Sequence, residues 1–148
     1  ISDACDRIGA DKEKVLTSIG GDTRIGNKYF NPGYSFGGPC FPRDTLALKM
    51  FVDQTNIDSD LLKATTKYNQ EHIKFQAQIL IDQNLESYII KDVCFKENSK
   101  VPIIEESAKL KIAKILVDAG KRVIIKDQIQ LIEEVKKEYG NIFEYHIE

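Results

Sequence analysis

Two short runs rich in β-branched and aromatic residues, 88–95 and 122–126, stand on either side of one helical stretch, 105–119, which Gly120 stops. Strand, single helix and strand within so short a span form a βαβ unit, whose crossover leaves the two strands parallel. That constraint excludes a hairpin architecture for this end of the chain. Residues 129–139 add another helix and 141–147 a third strand.

Ahead of this unit the pattern is helical. Residues 1–9 continue an amphipathic helix, and Asp11 is an N-cap for a second, through Ile19, which Gly20-Gly21 ends. From Asp22 to Pro42 the pattern gives way to Gly, Pro, Asn and aromatic residues, a stretch too long for a simple turn. Its aromatics, Tyr29, Phe30, Tyr34, Phe36 and Phe41, predict an ordered loop packed on something. Pro42 suits the first position of a helix running to about Gln54, because its missing N–H has no partner to lose there. Asp58 or Ser59 caps a long helix to roughly Asn84. On it Leu61, Thr65, Tyr68, His72, Phe75 and Ile79 recur at three- and four-residue steps and predict a buried stripe, facing a bundle or a second subunit. The fold class expected is mixed α/β: a helical domain over 1–86, then a small Rossmann-like parallel βαβ domain over 87–148.

Composition narrows the function classes. Over 148 residues the net charge is -2, with Lys and Glu interspersed, so nothing draws the chain to nucleic acid or an anionic membrane. No apolar run is long enough to span a bilayer, and residues 1–10 lack a secretory pattern; the chain reads as cytoplasmic. Its cysteines, Cys5, Cys40 and Cys94, are odd in number and widely spaced, which predicts neither a disulfide framework nor a zinc site, and no metal is expected. The chain opens at Ile1 in mid-pattern and reads as part of a longer polypeptide.

The chemistry concentrates in Gly37-Gly38-Pro39-Cys40-Phe41-Pro42-Arg43-Asp44. A cysteine just before a helix start meets free N–H groups and the positive end of the dipole, and Arg43 adds a cation; both favour a thiolate. Gly37 and Gly38 remove side chains beside it, which would let a substrate approach the backbone. The same residues also fit a small cysteine buried in a Gly-Pro turn. His72 and His146 are the imidazoles a peptidase-like pairing with Cys40 would need, but His72 falls on the apolar stripe of the long helix. Cys5 and Cys94 read as buried structural thiols.

Residues 22–48, from Asp22-Thr23-Arg24 through the Gly-Gly-Pro-Cys-Phe-Pro-Arg-Asp segment to Leu48, resemble the active-site signature of UDP-glucose/GDP-mannose dehydrogenases, and the resemblance extends over 1–84 and more weakly over 88–127. It implies an NAD-dependent oxidoreductase that takes the C6 alcohol of a nucleotide sugar, UDP-glucose being the commonest choice, to a carboxylate. Cys40 would be the nucleophile and Asp44 would assist proton transfer. Arg24, Lys28, Tyr29, Phe30, Asn31, Tyr34, Phe36, Gly37 and Gly38 would hold the sugar nucleotide, with Phe95 and Lys96 contributing from the second domain and Arg43 placed towards the cofactor. NAD itself would be bound mainly by an N-terminal domain absent from this chain, and a homodimer would form through the helical domain.

The βαβ unit invites a dinucleotide reading of its own, yet its first connection, 96–107, contains no glycine. The Gly-rich turn that lets backbone approach a pyrophosphate is missing. Asp127 after the second strand is a weak ribose hint, since strand ends also carry Asp for turn reasons. Two departures from the resembling family stand out: Glu105 in the place of an arginine, and Asp92 where glycine is preferred. They leave open a second reading, a non-catalytic dimerisation and nucleotide-sugar-binding module.

Overall fold

The computed structural model describes residues 1–96, 99 and 101–148. These form α1 Ser2–Ile8, α2 Lys12–Gly20, α3 Phe41–Gln54, α4 Asp60–Asp82, β1 Ser87–Lys91, α5 Ala108–Asp118, β2 Arg122–Asp127, α6 Ile129–Tyr139 and β3 Glu144–Ile147. The fold is mixed α/β, as expected. No described helix is long and apolar enough to cross a membrane. Two compact units emerge, residues 1–34 and 35–148.

The first unit holds α1 and α2. Gly9 ends α1 in the left-handed conformation at φ 70°, which glycine adopts without a Cβ clash. Asp11 caps α2 as expected, its side chain accepting from the Lys14 N–H at 3.1 Å. Cys5 and Leu16 are the buried apolar side chains of the unit. Helix α2 ends at Gly20, where a Cβ would lie 2.1 Å from Asn27 Oδ1.

The second unit is organised by a parallel sheet of order β1-β2-β3. Register runs from Ser87↔Arg122 to Lys91↔Lys126, and from Ile124↔Glu144 to Asp127↔Ile147. Central β2 buries Val123, Ile124 and Ile125 in succession, the pattern of a strand covered on both faces. Helix α5 packs on α4 and β2, and α6 on β2 and β3. The core closes around Leu110, Leu116, Ile125, Ile132 and Val135. Ile73 and Ala77 of α4 belong to this same core, so compactness does not divide the chain at residue 86. Tyr88 ties the end of α4 to the sheet: its hydroxyl donates to the Leu80 carbonyl at 2.7 Å and accepts from the Leu85 N–H at 3.1 Å.

Several expectations are corrected. Within the chain the stripe on α4 is only partly covered: Leu61 is 81% and Tyr68 55% exposed, His72, Phe75 and Ile79 are half-buried, and the fully buried side chains are Ile73 and Ala77, so the chain's own helices do not bury the first half of the stripe. The buried face is rotated by one position, and it is set by the C-terminal half of α4, which α5 and Tyr88 cover. Strand β1 stops at Lys91 rather than Phe95, because Asp92 takes φ 52° and breaks the extended run. This left-handed conformation explains a preference for glycine at that position. Cys94 therefore lies beyond the strand, half-buried, its thiol donating to the Ile103 carbonyl at 3.1 Å. Helix α5 begins at Ala108, not 105, since Glu106 at φ 55° cannot be helical and Ser107 caps the helix, accepting from the Leu110 N–H. Strand β3 is confined to 144–147.

Asp127 proves to be a structural clamp. Buried to 6% exposure, it accepts from the Val93 N–H at 2.9 Å and the Gln128 N–H at 2.8 Å. Both oxygens are engaged by backbone, which removes the ribose reading. We expect Asp127→Ala to destabilise the fold by about 1–3 kcal/mol for each buried donor orphaned, measured by urea unfolding. Tyr139 carries a pH signature: burial first, then the Glu138 carboxylate, pushes its phenol up to about 12. A folded-state value above the unfolded one means the unfolded chain releases its proton earlier, so this contribution is intact below pH 10 and is lost between about pH 10 and 12. Tyr145 is also raised by burial, so ultraviolet titration of the tyrosinates should show a late fraction, whose latest part Tyr139→Phe removes.

Candidate functional site

Helix α3 starts at Phe41, with Pro42 in its first turn and Cys40 at the N-cap position. The Cys40 carbonyl accepts from the Asp44 N–H at 2.8 Å, fixing the cysteine to the first turn. The Cys40 thiol is free and exposed, which removes the reading of a buried turn cysteine. One turn on, Asp44 is exposed and accepts from Arg43 Nε at 2.8 Å. That bond, then the charges of Asp44, Cys40 and Glu105, holds the Arg43 guanidinium above its ordinary range. Arg43 thus spends its Nε donor on Asp44, in an exposed pair of the kind that contributes little to stability.

The loop carrying Cys40 is braced from two sides. On α4, the Asn69 side chain accepts from the Phe36 N–H at 2.8 Å and donates to the Phe36 carbonyl at 2.9 Å. The Ser35 hydroxyl donates to the Asn69 backbone carbonyl. On the other side, a Cβ at Gly37 would lie 2.2 Å from the Glu106 carbonyl oxygen, and one at Gly38 2.5 Å from the Phe95 ring. The space beside these glycines is filled by the segment between β1 and α5, not left for a substrate, and Gly38 at φ 80° needs glycine for its backbone as well. Phe95 is in turn tied down through its N–H to the Ile103 carbonyl at 3.0 Å.

A cavity of about 440 Å³ opens between the start of α3, the middle of α4 and the approach to α5, with Phe36, Arg43, Asn69, Ile73, Glu105 and Lys111 among its walls. Lys111 is paired with Glu106. Cys40 and Asp44 do not line this cavity; they occupy the exposed side of the same loop-to-helix junction. Lys96 is exposed, and part of its connection, Glu97, Asn98 and Lys100, lies outside the described residues. Among the expected site residues, the second unit thus brings together Phe36, Gly37, Gly38, Cys40, Arg43, Asp44 and Phe95.

Arg24, Lys28, Tyr29, Phe30, Asn31 and Tyr34 lie in the first unit. There Arg24 grips Asp22, with Nε to Oδ1 at 3.0 Å and a terminal guanidinium nitrogen to Oδ2 at 2.6 Å; this bond raises the Arg24 pKa and lowers that of Asp22. Phe30 is half-buried, but Tyr29 at 88% and Tyr34 at 54% are exposed, as is Phe41, so the aromatic loop is only partly packed. His72 is half-buried with its ring stacked on Tyr68, and His146 is exposed on β3. Among the described residues no group of three His, Cys, Asp or Glu side chains is gathered as a metal would require. Asn69 and Asp127 are the residues whose roles the sequence did not disclose; a polar residue on the face shared with Ile73 and Ala77 was the available signal for the first.

Residues 1–71 match the UDP-glucose/GDP-mannose dehydrogenase family, central domain. The chain is similar to the UDP-glucose 6-dehydrogenase of Rickettsia bellii, 32% identical over 144 residues, covering 95% of this chain and 33% of the relative. With the UDP-glucose 6-dehydrogenase YwqF of Bacillus subtilis it shares 39% identity over 85 residues, 57% of this chain and 18% of that protein. Among solved structures, a UDP-glucose dehydrogenase from Pyrobaculum islandicum superposes with a TM-score of 0.84 at 29% identity, over 95% of this chain and 33% of that one. A GDP-mannose dehydrogenase from Pseudomonas aeruginosa shares the fold, with a TM-score of 0.66 at 22% identity over 93% of this chain and 32% of that one. The chain spans about a third of the length of these full relatives. By these matches, residues 1–71 correspond to the central domain of the UDP-glucose/GDP-mannose dehydrogenase family, and the chain resembles that family's UDP-glucose dehydrogenases over nearly its whole length.

Proposed function

We propose that the chain is part of an NAD-dependent nucleotide-sugar 6-dehydrogenase that oxidises the C6 alcohol of a UDP-sugar, UDP-glucose first among them, to the uronate in the cytoplasm. The observation that carries this reading is an exposed Cys40 thiol at the N-cap of α3 with the Asp44 carboxylate one turn along. Residues 1–34 would supply sugar-nucleotide contacts through Arg24, Lys28, Tyr29, Phe30, Asn31 and Tyr34, and the second unit through Phe36, the backbone of Gly37 and Gly38, Phe95 and Lys96.

The βαβ unit does not fit NAD. Its β1–α5 connection has no glycine, its Phe95 N–H is bonded to the Ile103 carbonyl, and Glu105 and Glu106 stand just before the start of α5, where a Gly-rich turn would leave N–H groups for a pyrophosphate. The cofactor is therefore assigned to a part of the whole enzyme outside this chain, and Arg43, engaged by Asp44, is left with at most a peripheral role towards it. What the chain supplies is the covalent chemistry. After the first oxidation leaves an aldehyde at C6, the Cys40 sulfur adds to that carbon and the carbonyl oxygen takes a proton, giving a thiohemiacetal. NAD, held elsewhere in the whole enzyme, would supply the hydride acceptor for both oxidations; on this chain the thiohemiacetal hydroxyl would give up its proton as the thioester forms, water would then add, the C–S bond would break, and carboxylate and the Cys40 thiol would result. Asp44 would accept protons from the hydroxyl and from the attacking water.

A second reading, a non-catalytic dimerisation and nucleotide-sugar-binding module, draws on the apolar side chains exposed on α3 and α4, among them Met50, Phe51 and Leu61. Exposed apolar side chains of this kind also suit a homodimer of the enzyme. In the whole enzyme, one UDP-sugar should yield two NADH. Cys40→Ser should abolish uronate formation, and Asp44→Asn should lower kcat by about 10²- to 10⁴-fold; uronate production by Cys40→Ser at the parental rate would sink the catalytic reading. Iodoacetamide should label Cys40 well before Cys5, which is buried, and Cys94, whose thiol is bonded to Ile103.

A further inference from the structure

We propose that Asn69 is a positioning residue for Cys40, acting through the backbone of Phe36 rather than by touching substrate. The inference rests on the reading of Cys40 as nucleophile and adds the device that holds it in place. The Asn69 carboxamide pairs with both backbone groups of Phe36, accepting from its N–H at 2.8 Å and donating to its carbonyl at 2.9 Å. Such a two-point bond fixes the peptide in rotation as well as in distance, much as a neighbouring strand would. The Ser35 hydroxyl adds a third tie, to the Asn69 backbone carbonyl. Between Phe36 and Cys40 lie only Gly37, Gly38 and Pro39. Pro39 has a fixed φ, so the freedom left in this link belongs to the two glycines.

Those glycines are wedged against the Glu106 carbonyl and the Phe95 ring. A wedge resists approach from one side, but it does not prevent the loop from lifting away; the pull from α4 supplies that. Asn69 thus completes a vice around the segment that delivers Cys40 to the α3 N-terminus. Helix propensity gives no reason for asparagine here, since its side chain competes with the helical backbone and it ranks low in helix interiors. Its place on the same face as Ile73 and Ala77 would otherwise suit an apolar residue. Although Asn69 lines the cavity, the main hydrogen-bonding directions of its amide are already taken by Phe36, which argues against a direct ligand contact.

The test uses the whole enzyme and compares parent, Asn69→Ala, Asn69→Asp and Cys40→Ser for kcat, KM and pH profile, with thermal midpoints alongside. Asn69→Ala should lower kcat by about 10²-fold, the cost of misplacing a reacting group by about an ångström, with KM within about threefold. Asn69→Asp matches the amide in shape and can make both bonds only when protonated. Its kcat relative to the parent should therefore rise as pH falls towards 5, while the same ratio for Asn69→Ala stays flat. The charged groups that face the same cavity, Arg43, Glu105, Glu106 and Lys111, are common to both proteins, so the ratio cancels them. A raised KM with unchanged kcat would make Asn69 a substrate contact and overturn the inference, as would an Asn69→Ala enzyme within twofold of the parent while Cys40→Ser is dead. If Asn69→Ala does not fold, a flat ratio for Asn69→Asp overturns it instead. Full uronate production by Cys40→Ser removes the nucleophile reading and this inference together.

Discussion

Parallel pairing of β1 with β2 is the constraint from which the second unit follows. Parallel neighbours cannot be joined by a tight turn, so the chain must leave the end of β1, cross over as α5 and re-enter at β2. The β1–α5 segment is thereby carried to the C-terminal edge of the sheet. There Asp127, at the end of β2, takes the Val93 N–H and fixes where that segment departs. Phe95 and Glu106 lie on it, and both abut the glycines before Cys40. A cysteine loop early in the sequence is thus located by a strand pair that forms from residues far beyond it.

Much of this architecture was legible because its signals are local. Asp11 and Gly120 punctuate helices through geometry that depends on a few neighbouring residues, and the helical run 129–139 coincides with α6. The β-branched runs marked β1 and β2, and the single helix between them dictated parallel strands. The Gly-Gly-Pro-Cys segment marked the candidate site through composition. What failed were statements about which side of an element meets something. Both Leu61 and Ile73 lie on plausible apolar stripes of α4, and only the position of α5 and Tyr88 decides for Ile73. The strand limits failed for a related reason: Asp92 and Glu106 adopt left-handed backbone imposed by the path of the connection, and no local preference of Asp or Glu announces that. Gly37 and Gly38 were recognised as special, yet their reason lies in a carbonyl and a ring from distant residues.

Asn69 shows why such a site resists reading from pattern. Periodicity treats a helix face as a surface to be made apolar, but an irregular loop brought against it carries N–H and carbonyl groups that need partners. An apolar side chain at this position would fill space and leave Phe36 unsatisfied. The polar residue breaks the local pattern because it answers a requirement of the tertiary structure, and sites where local and global preferences conflict in this way are where function concentrates.

The charged groups in the wall of the cavity largely answer one another. Arg43 is engaged by Asp44 and Lys111 by Glu106, while Glu105 adds a further carboxylate to the wall. A wall in which each cation already faces an acid offers little attraction to a diphosphate. It is better matched to uncharged groups bearing hydroxyl donors, which find carboxylates to meet. Glu105 adds to the acidity of that wall, so a phosphate would meet a carboxylate there rather than a free cation.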